Sequence, residues 1–106
     1  MEEQKSIRPE EFAALDFHTV TLLDLREPDE VLVSGIQGAI NIPFSQIGKL
    51  LDTVPRDKPV YVFCRTGDWS GEVTELLSDR GYDAWNVEGG YQAFSALLRE
   101  AEPVRI

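Results

Sequence analysis

The sequence predicts an α/β fold with a mostly parallel sheet, and three features carry that expectation. Short apolar runs alternate with helical patterns along the chain. The strongest run, Val60-Tyr61-Val62-Phe63, is apolar throughout instead of alternating, as a strand covered on both faces requires. The links are short, and no repeat, low-complexity tract or linker interrupts them. A chain of 106 residues suffices for one small domain with one core, so a single domain over 1–106 is expected, its core at about 6–100.

Taken in order, a short stretch around Ser6-Ile7 is a candidate edge strand. Pro9 suits a first helical position and leads Glu10, Glu11 and the apolar Phe12, Ala13 and Leu15. Val20 to Leu25 reads as a buried strand, and Ala39 to Ile42 as another between Gly38 and Pro43. Ser45 is placed to cap a turn carrying Ile47, Leu50 and Leu51. After the Val60–Phe63 strand, which Pro59 introduces, Ser70 is placed to cap a helix over Gly71–Arg80. Val73, Leu76 and Leu77 would form its face, with Gly81 as the stop. Ala84 to Val87 is a further strand closed by Gly89-Gly90. Tyr91 to Arg99 then puts Phe94, Leu97 and Leu98 on one helical stripe before Pro103. Trp85, Phe94, Leu76 and Leu77 are expected in the core, and residues 1–5 and 102–106 are expected to fray.

Composition narrows the function. Apolar residues make up 42% and charged residues 27%, a globular balance. With Lys+Arg at 10 and Asp+Glu at 19, the formal net charge is −9. That argues against nucleic acid and against an anionic membrane as partners. An anionic small substrate must be attracted locally, against the global field. The first ten residues hold no apolar core, and the run Val60 to Cys64 is far short of the ~20 residues of a membrane helix. A cytoplasmic location is the resulting expectation. The lone Cys64 permits no internal disulfide and no multi-thiolate zinc site, and the lone His18 reads as a surface or loop residue. A metal site is not expected.

The chemistry concentrates at Cys64. Ligands of open α/β sheets bind beyond the carboxyl ends of the strands, and Cys64 ends the strongest strand. Arg65-Thr66-Gly67-Asp68-Trp69 follow, then Ser70 at a helix start. Backbone N–H groups converging in such a loop, with the helix dipole, favour a thiolate. A free thiol, with a pKa of about 8.5, is mostly protonated at neutrality. Arg65 adds charge in the favourable sense, whereas Asp68 and Glu72 oppose it unless they point outward or cap the helix. The plain alternative is an inert small hydrophobe at a strand end. The strand, glycine loop and helix around Cys64 favour a functional thiol instead.

Four blocks extend this local pattern: Asp24-Leu25-Arg26-Glu27-Pro28-Asp29-Glu30, Gly38-Ala39-Ile40-Asn41-Ile42-Pro43, Cys64-Arg65-Thr66-Gly67, and Gly81-Tyr82 leading to Glu88-Gly89-Gly90. In this order and spacing the chain resembles the single-domain rhodanese-like sulfurtransferases, from about Ile7 to Leu98. The resemblance implies a five-stranded parallel sheet of order 1-5-4-2-3 with helices on both faces. It implies that Cys64 accepts a sulfane sulfur from a donor such as thiosulfate or a persulfide, and passes it to cyanide, a thiol or a protein cysteine. Partners would be those small molecules or a sulfur-relay protein, with no cofactor or metal. Arg65, Thr66, Gly67, Asp68, Trp69 and Ser70 are the candidate substrate-binding loop. Asp24 and Arg26 match a family motif near the sheet edge, where an ion pair holding loops is the plain role. Gly89 and Gly90 would allow backbone approach to the active loop, or simply form a turn.

Two departures stand out. Trp69 occupies a loop position where the family often has a second arginine, which would help bind a dianionic donor. Its indole could shield a persulfide, meet a protein partner, or pack as a lid over the loop. Ser34-Gly35-Ile36-Gln37-Gly38 stands where Gly-His-Ile-Pro-Gly is common, which should alter a connecting turn. Phosphatase or arsenate-reductase chemistry needs a Cys-x5-Arg loop, and Ser70 occupies that arginine position. A non-catalytic binding module using the Trp69 face is the remaining rival, and such a module has no need of a thiol in the cradle.

Overall fold

The five strands of the sheet are short, two to four residues each, and all neighbours run parallel. The computed structural model describes residues 5–100. The strands are β1 (Ser6–Ile7), β2 (Thr21–Asp24), β3 (Ile40–Asn41), β4 (Val60–Phe63) and β5 (Ala84–Val87), in the order β1-β5-β4-β2-β3. That is the order the resemblance implied. Asp24 pairs with Phe63 and with Asn41, so the carboxyl ends of β2, β3 and β4 lie side by side.

Parity along the strands explains why β4 is apolar throughout. Val60 and Val62 pack with Leu23, Leu25 and Ile47 on one face, under α3 (Ile47–Leu50) and α4 (Asp68–Asp79). Tyr61 and Phe63 pack with Leu22, Phe12 and Phe94 on the other, under α1 (Pro9–Ala13) and α5 (Gly90–Glu100). Successive strand side chains alternate faces, so a strand buried on both must be apolar at every position. Cys64 falls in the first set and continues the parity of Val60 and Val62.

Several expectations change. A helix absent from the sequence reading, α2, spans Pro28–Val33. Its apolar residues are contiguous and outward, with Leu32 and Val33 each 88% exposed, so it has no buried stripe for periodicity to detect. Ser70 is not a cap: Gly67 caps α4, and Ser70 lies in its first turn. The buried face of α4 is Ser70, Val73, Thr74 and Leu77, spaced by three and four, which turns Leu76 to solvent. Leu98 of α5 is likewise exposed, whereas Phe94 is buried and Trp85 half-buried. Ser45 sits inside a 3-10 turn, Phe44–Gln46, and caps nothing. Lys5 does not fray, since its carbonyl accepts from Asn86 N–H and its ammonium meets Asp83 at 2.8 Å. The rest of the expected fraying, at 1–4 and 102–106, falls outside the described residues. No helix among the described residues is long and apolar enough to cross a membrane.

Candidate active site

Beyond β4 the chain turns sharply at Gly67 and enters α4. Gly67 has φ +102°, and a Cβ there would stand 3.2 Å from the Gly89 nitrogen, so the turn requires glycine. Its N–H donates to Cys64 Sγ at 3.1 Å. The neighbouring amides of Ser70 and Thr66 also favour the negative form of this sulfur.

α5 sets the direction of this cradle without touching the sulfur. Tyr91 N–H donates to the Cys64 carbonyl at 2.8 Å, and Gln92 N–H to the Arg65 carbonyl at 3.0 Å. In a trans peptide the C=O and the following N–H point opposite ways. Holding the Arg65 carbonyl toward α5 therefore aims the Thr66 N–H back across the loop. The approach is close: a Cβ on Gly90 would lie 2.5 Å from the Cys64 oxygen. Gly90 thus permits the expected backbone approach, whereas a Cβ on Gly89 would meet the Ala93 Cβ at 2.6 Å.

Burial pushes the Cys64 thiol up, as only 5% of the residue is exposed. The Ser70 hydroxyl and the amides of Ser70, Gly67 and Thr66 outweigh that effect, and the net direction is below an ordinary thiol. The hydroxyl has only one proton to offer. It is given to Asn86 Oδ1 at 2.5 Å, while Sγ lies 3.6 Å from Ser70 Oγ. In the thiol form the S–H donates to Ser70. Ser70 donates to the thiolate only when its proton turns from Asn86 to the sulfur.

Cys64 opens into a pocket of about 340 Å³. Leu25 and Trp69 supply apolar walls, and Arg26, Arg65, Glu27, Glu30 and Asp68 the charged ones, beside Thr66. Neither guanidinium is free. Arg26, 6% exposed, donates to both carboxylate oxygens of the fully buried Asp24 at 2.9 and 3.1 Å, and to the Ser34 carbonyl at 2.7 Å. Its face lies 3.8 Å above the Tyr91 ring. Asn41 Nδ2 donates to the Asp24 and Arg26 carbonyls, so the pair and its loop are fixed together. Arg65 places Nε and Nη2 on Glu30 Oε2 at 3.1 and 2.8 Å. Thr66 Oγ1 donates to Asp68. Trp69, 54% exposed, stacks on Phe44 with centroids 4.6 Å apart and forms a pocket wall beside Cys64.

The structure therefore brings Cys64, Arg65, Thr66, Asp68, Trp69 and Arg26 to one pocket, with Gly67 and Ser70 on the sulfur and Asp24 behind Arg26. The sequence reading singled out neither Asn86 nor Glu30. A polar residue inside the otherwise apolar run Ala84-Trp85-Asn86-Val87 was the available signal for the first. For Glu30, only the three-dimensional meeting with Arg65 reveals the contact.

A family model described as "Rhodanese-like domain" matches residues 9–97. "Uncharacterized protein YqhL" of Bacillus subtilis is 33% identical over 96 residues, covering 90% of this chain and 75% of that one. "Thiosulfate sulfurtransferase PspE" of Escherichia coli is 37% identical over 70 residues, covering 64% of this chain and 67% of that one. Among solved structures, a rhodanese-related protein from Thermoplasma volcanium superposes with a TM-score of 0.81 at 34% identity, covering 95% of this chain and 97% of that one. Longer proteins match as well, this chain spanning 26% of one relative and 17% of one solved chain. With a matching domain over most of its length, this sheet order and a cysteine loop at the sheet edge, the chain belongs to the rhodanese-like domain family, among relatives named as sulfurtransferases.

Proposed function

We propose that the chain is a sulfurtransferase acting through a persulfide on Cys64. The observation that carries this reading is a pocket-lining sulfur that accepts the Gly67 N–H at 3.1 Å, with the Ser70 hydroxyl 3.6 Å away. In the first step the Cys64 thiolate attacks the outer sulfur of the donor. The donor's S–S bond breaks, its electron pair leaves with the departing anion, and Cys64 becomes a persulfide anion. In the second, a thiophile such as cyanide, a thiol or a protein cysteine takes that terminal sulfur and the thiolate returns. Negative charge sits beside the same amides before and after each transfer, so fixed dipoles stabilise it with little reorganisation. Arg65, Asp68 and Trp69 line the wall of the pocket that the donor enters, and the Asp24–Arg26 pair holds the loop from behind.

Intact-mass analysis tests the proposal. Incubation with a sulfane donor should add one sulfur atom to Cys64, removable by cyanide or thiol. Cys64→Ser should lose both the adduct and cyanide-dependent turnover. A variant that keeps turnover would remove the assignment. The exposed Trp69, Leu32 and Val33 favour a second reading, a non-catalytic binding module. Absence of any labile adduct across thiosulfate, thiol-persulfide and protein donors would favour it.

A further inference from the structure

We infer that the pocket selects a sulfane donor with a single negative charge and an apolar organic body, and that Glu30 sets this selection by withholding Arg65 from anionic donors. The inference rests on the proposed transfer to Cys64 and goes on to name its donor class.

The pocket walls carry two guanidiniums and three carboxylates, Glu27, Glu30 and Asp68. Arg26 is consumed by Asp24 and the Ser34 carbonyl, its face covered by Tyr91. Arg65 is the cation that could turn to a donor, since its side chain is 69% exposed. Glu30, 29% exposed at the side chain, holds two of its nitrogens on one oxygen. The amide cradle offers a place for one negative charge, and that charge belongs to the sulfur. A dianion such as thiosulfate would bring its second charge among the Glu27, Glu30 and Asp68 carboxylates, inside a chain of net charge −9. A thiosulfonate, RSO2S⁻, replaces that charge with a carbon group. Leu25 and the indole of Trp69, braced by Phe44, form the surface such a group would cover.

The chemistry balances for this class. The Cys64 thiolate bonds the outer sulfur of RSO2S⁻, the S–S bond breaks, and the sulfinate RSO2⁻ leaves with the electron pair. One thiolate and one thiosulfonate become one persulfide anion and one sulfinate, with no external oxidant or reductant.

The test measures kcat/KM of the full chain for benzenethiosulfonate and for thiosulfate, with cyanide as acceptor. The two donors differ in intrinsic reactivity, so the readout is the change in their ratio between variants. Glu30→Gln should shift the ratio toward thiosulfate by about fivefold, the scale of one half-exposed charge pair, through a lower KM for thiosulfate. Arg65→Ala should raise the thiosulfate KM more in the Glu30→Gln background than in the wild type. Glu30→Ala, which releases Arg65 in the same way, stands in if the glutamine variant does not fold. An unmoved ratio, or an equal cost of Arg65→Ala in both backgrounds, overturns the role of Glu30. A lower wild-type KM for thiosulfate than for benzenethiosulfonate overturns the donor class. Failure of both donors to add sulfur to Cys64 overturns the transfer reading itself, an outcome distinct from the other three.

Discussion

Cys64 is a buried group that the fold nevertheless stabilises as an anion, and this has two measurable results. Its alkylation rate should follow a titration centred below the ordinary thiol value of about 8.5. A profile centred at or above that value would count against the cradle. Because the folded pKa is lowered, the native state binds fewer protons than the unfolded chain between the two pKa values. The stabilisation is thus complete above the unfolded value and disappears as pH falls through the folded one. Urea titrations should show the wild type gaining stability over Cys64→Ser as pH rises through that window. The setting of Cys64 was legible in the sequence because strand end, glycine and helix start are all local features. Its polar support was not. Ser70 meets Asn86 16 positions away and Arg65 meets Glu30 35 positions away, separations at which periodicity and capping carry no information.

The strands were legible because burial on both faces leaves an uninterrupted apolar run, as in Val60–Phe63. Short helices were harder. α2 presents Leu32 and Val33 to solvent, and the start of α4 depends on a left-handed Gly67 that mimics a loop in sequence. The contact of α5 with the active loop is the most demanding junction between elements. Gly90→Ala would put a Cβ against the Cys64 carbonyl at φ +61°. Strain and overpacking together should cost about 2–4 kcal/mol, read as a lower urea midpoint at unchanged slope. The surviving folded fraction should also titrate Cys64 at higher pH, because the Thr66 amide loses its aim. A variant as stable as the wild type would contradict the close approach.

For the whole molecule, sheet order came from the family resemblance; strand patterns alone fix which segments pair with helices, not which strands adjoin. Charge was legible directly. A net charge of −9 repels anionic donors at long range, and that repulsion reaches about 30 Å at 0.01 M salt but only about 8 Å at 0.15 M. Raising sodium chloride across this interval should increase kcat/KM for thiosulfate more than for benzenethiosulfonate. A fall for the dianion would indicate a free cation in the pocket. Finally, the residue that occupies Arg65 comes from α2, whereas the amides that orient the loop's carbonyls come from α5. Donor preference and sulfur acidity are therefore anchored in separate helices. On the proposed transfer, mutation can retune one property while the other stays intact, so a single framework could take new sulfur sources without rebuilding the surroundings of Cys64.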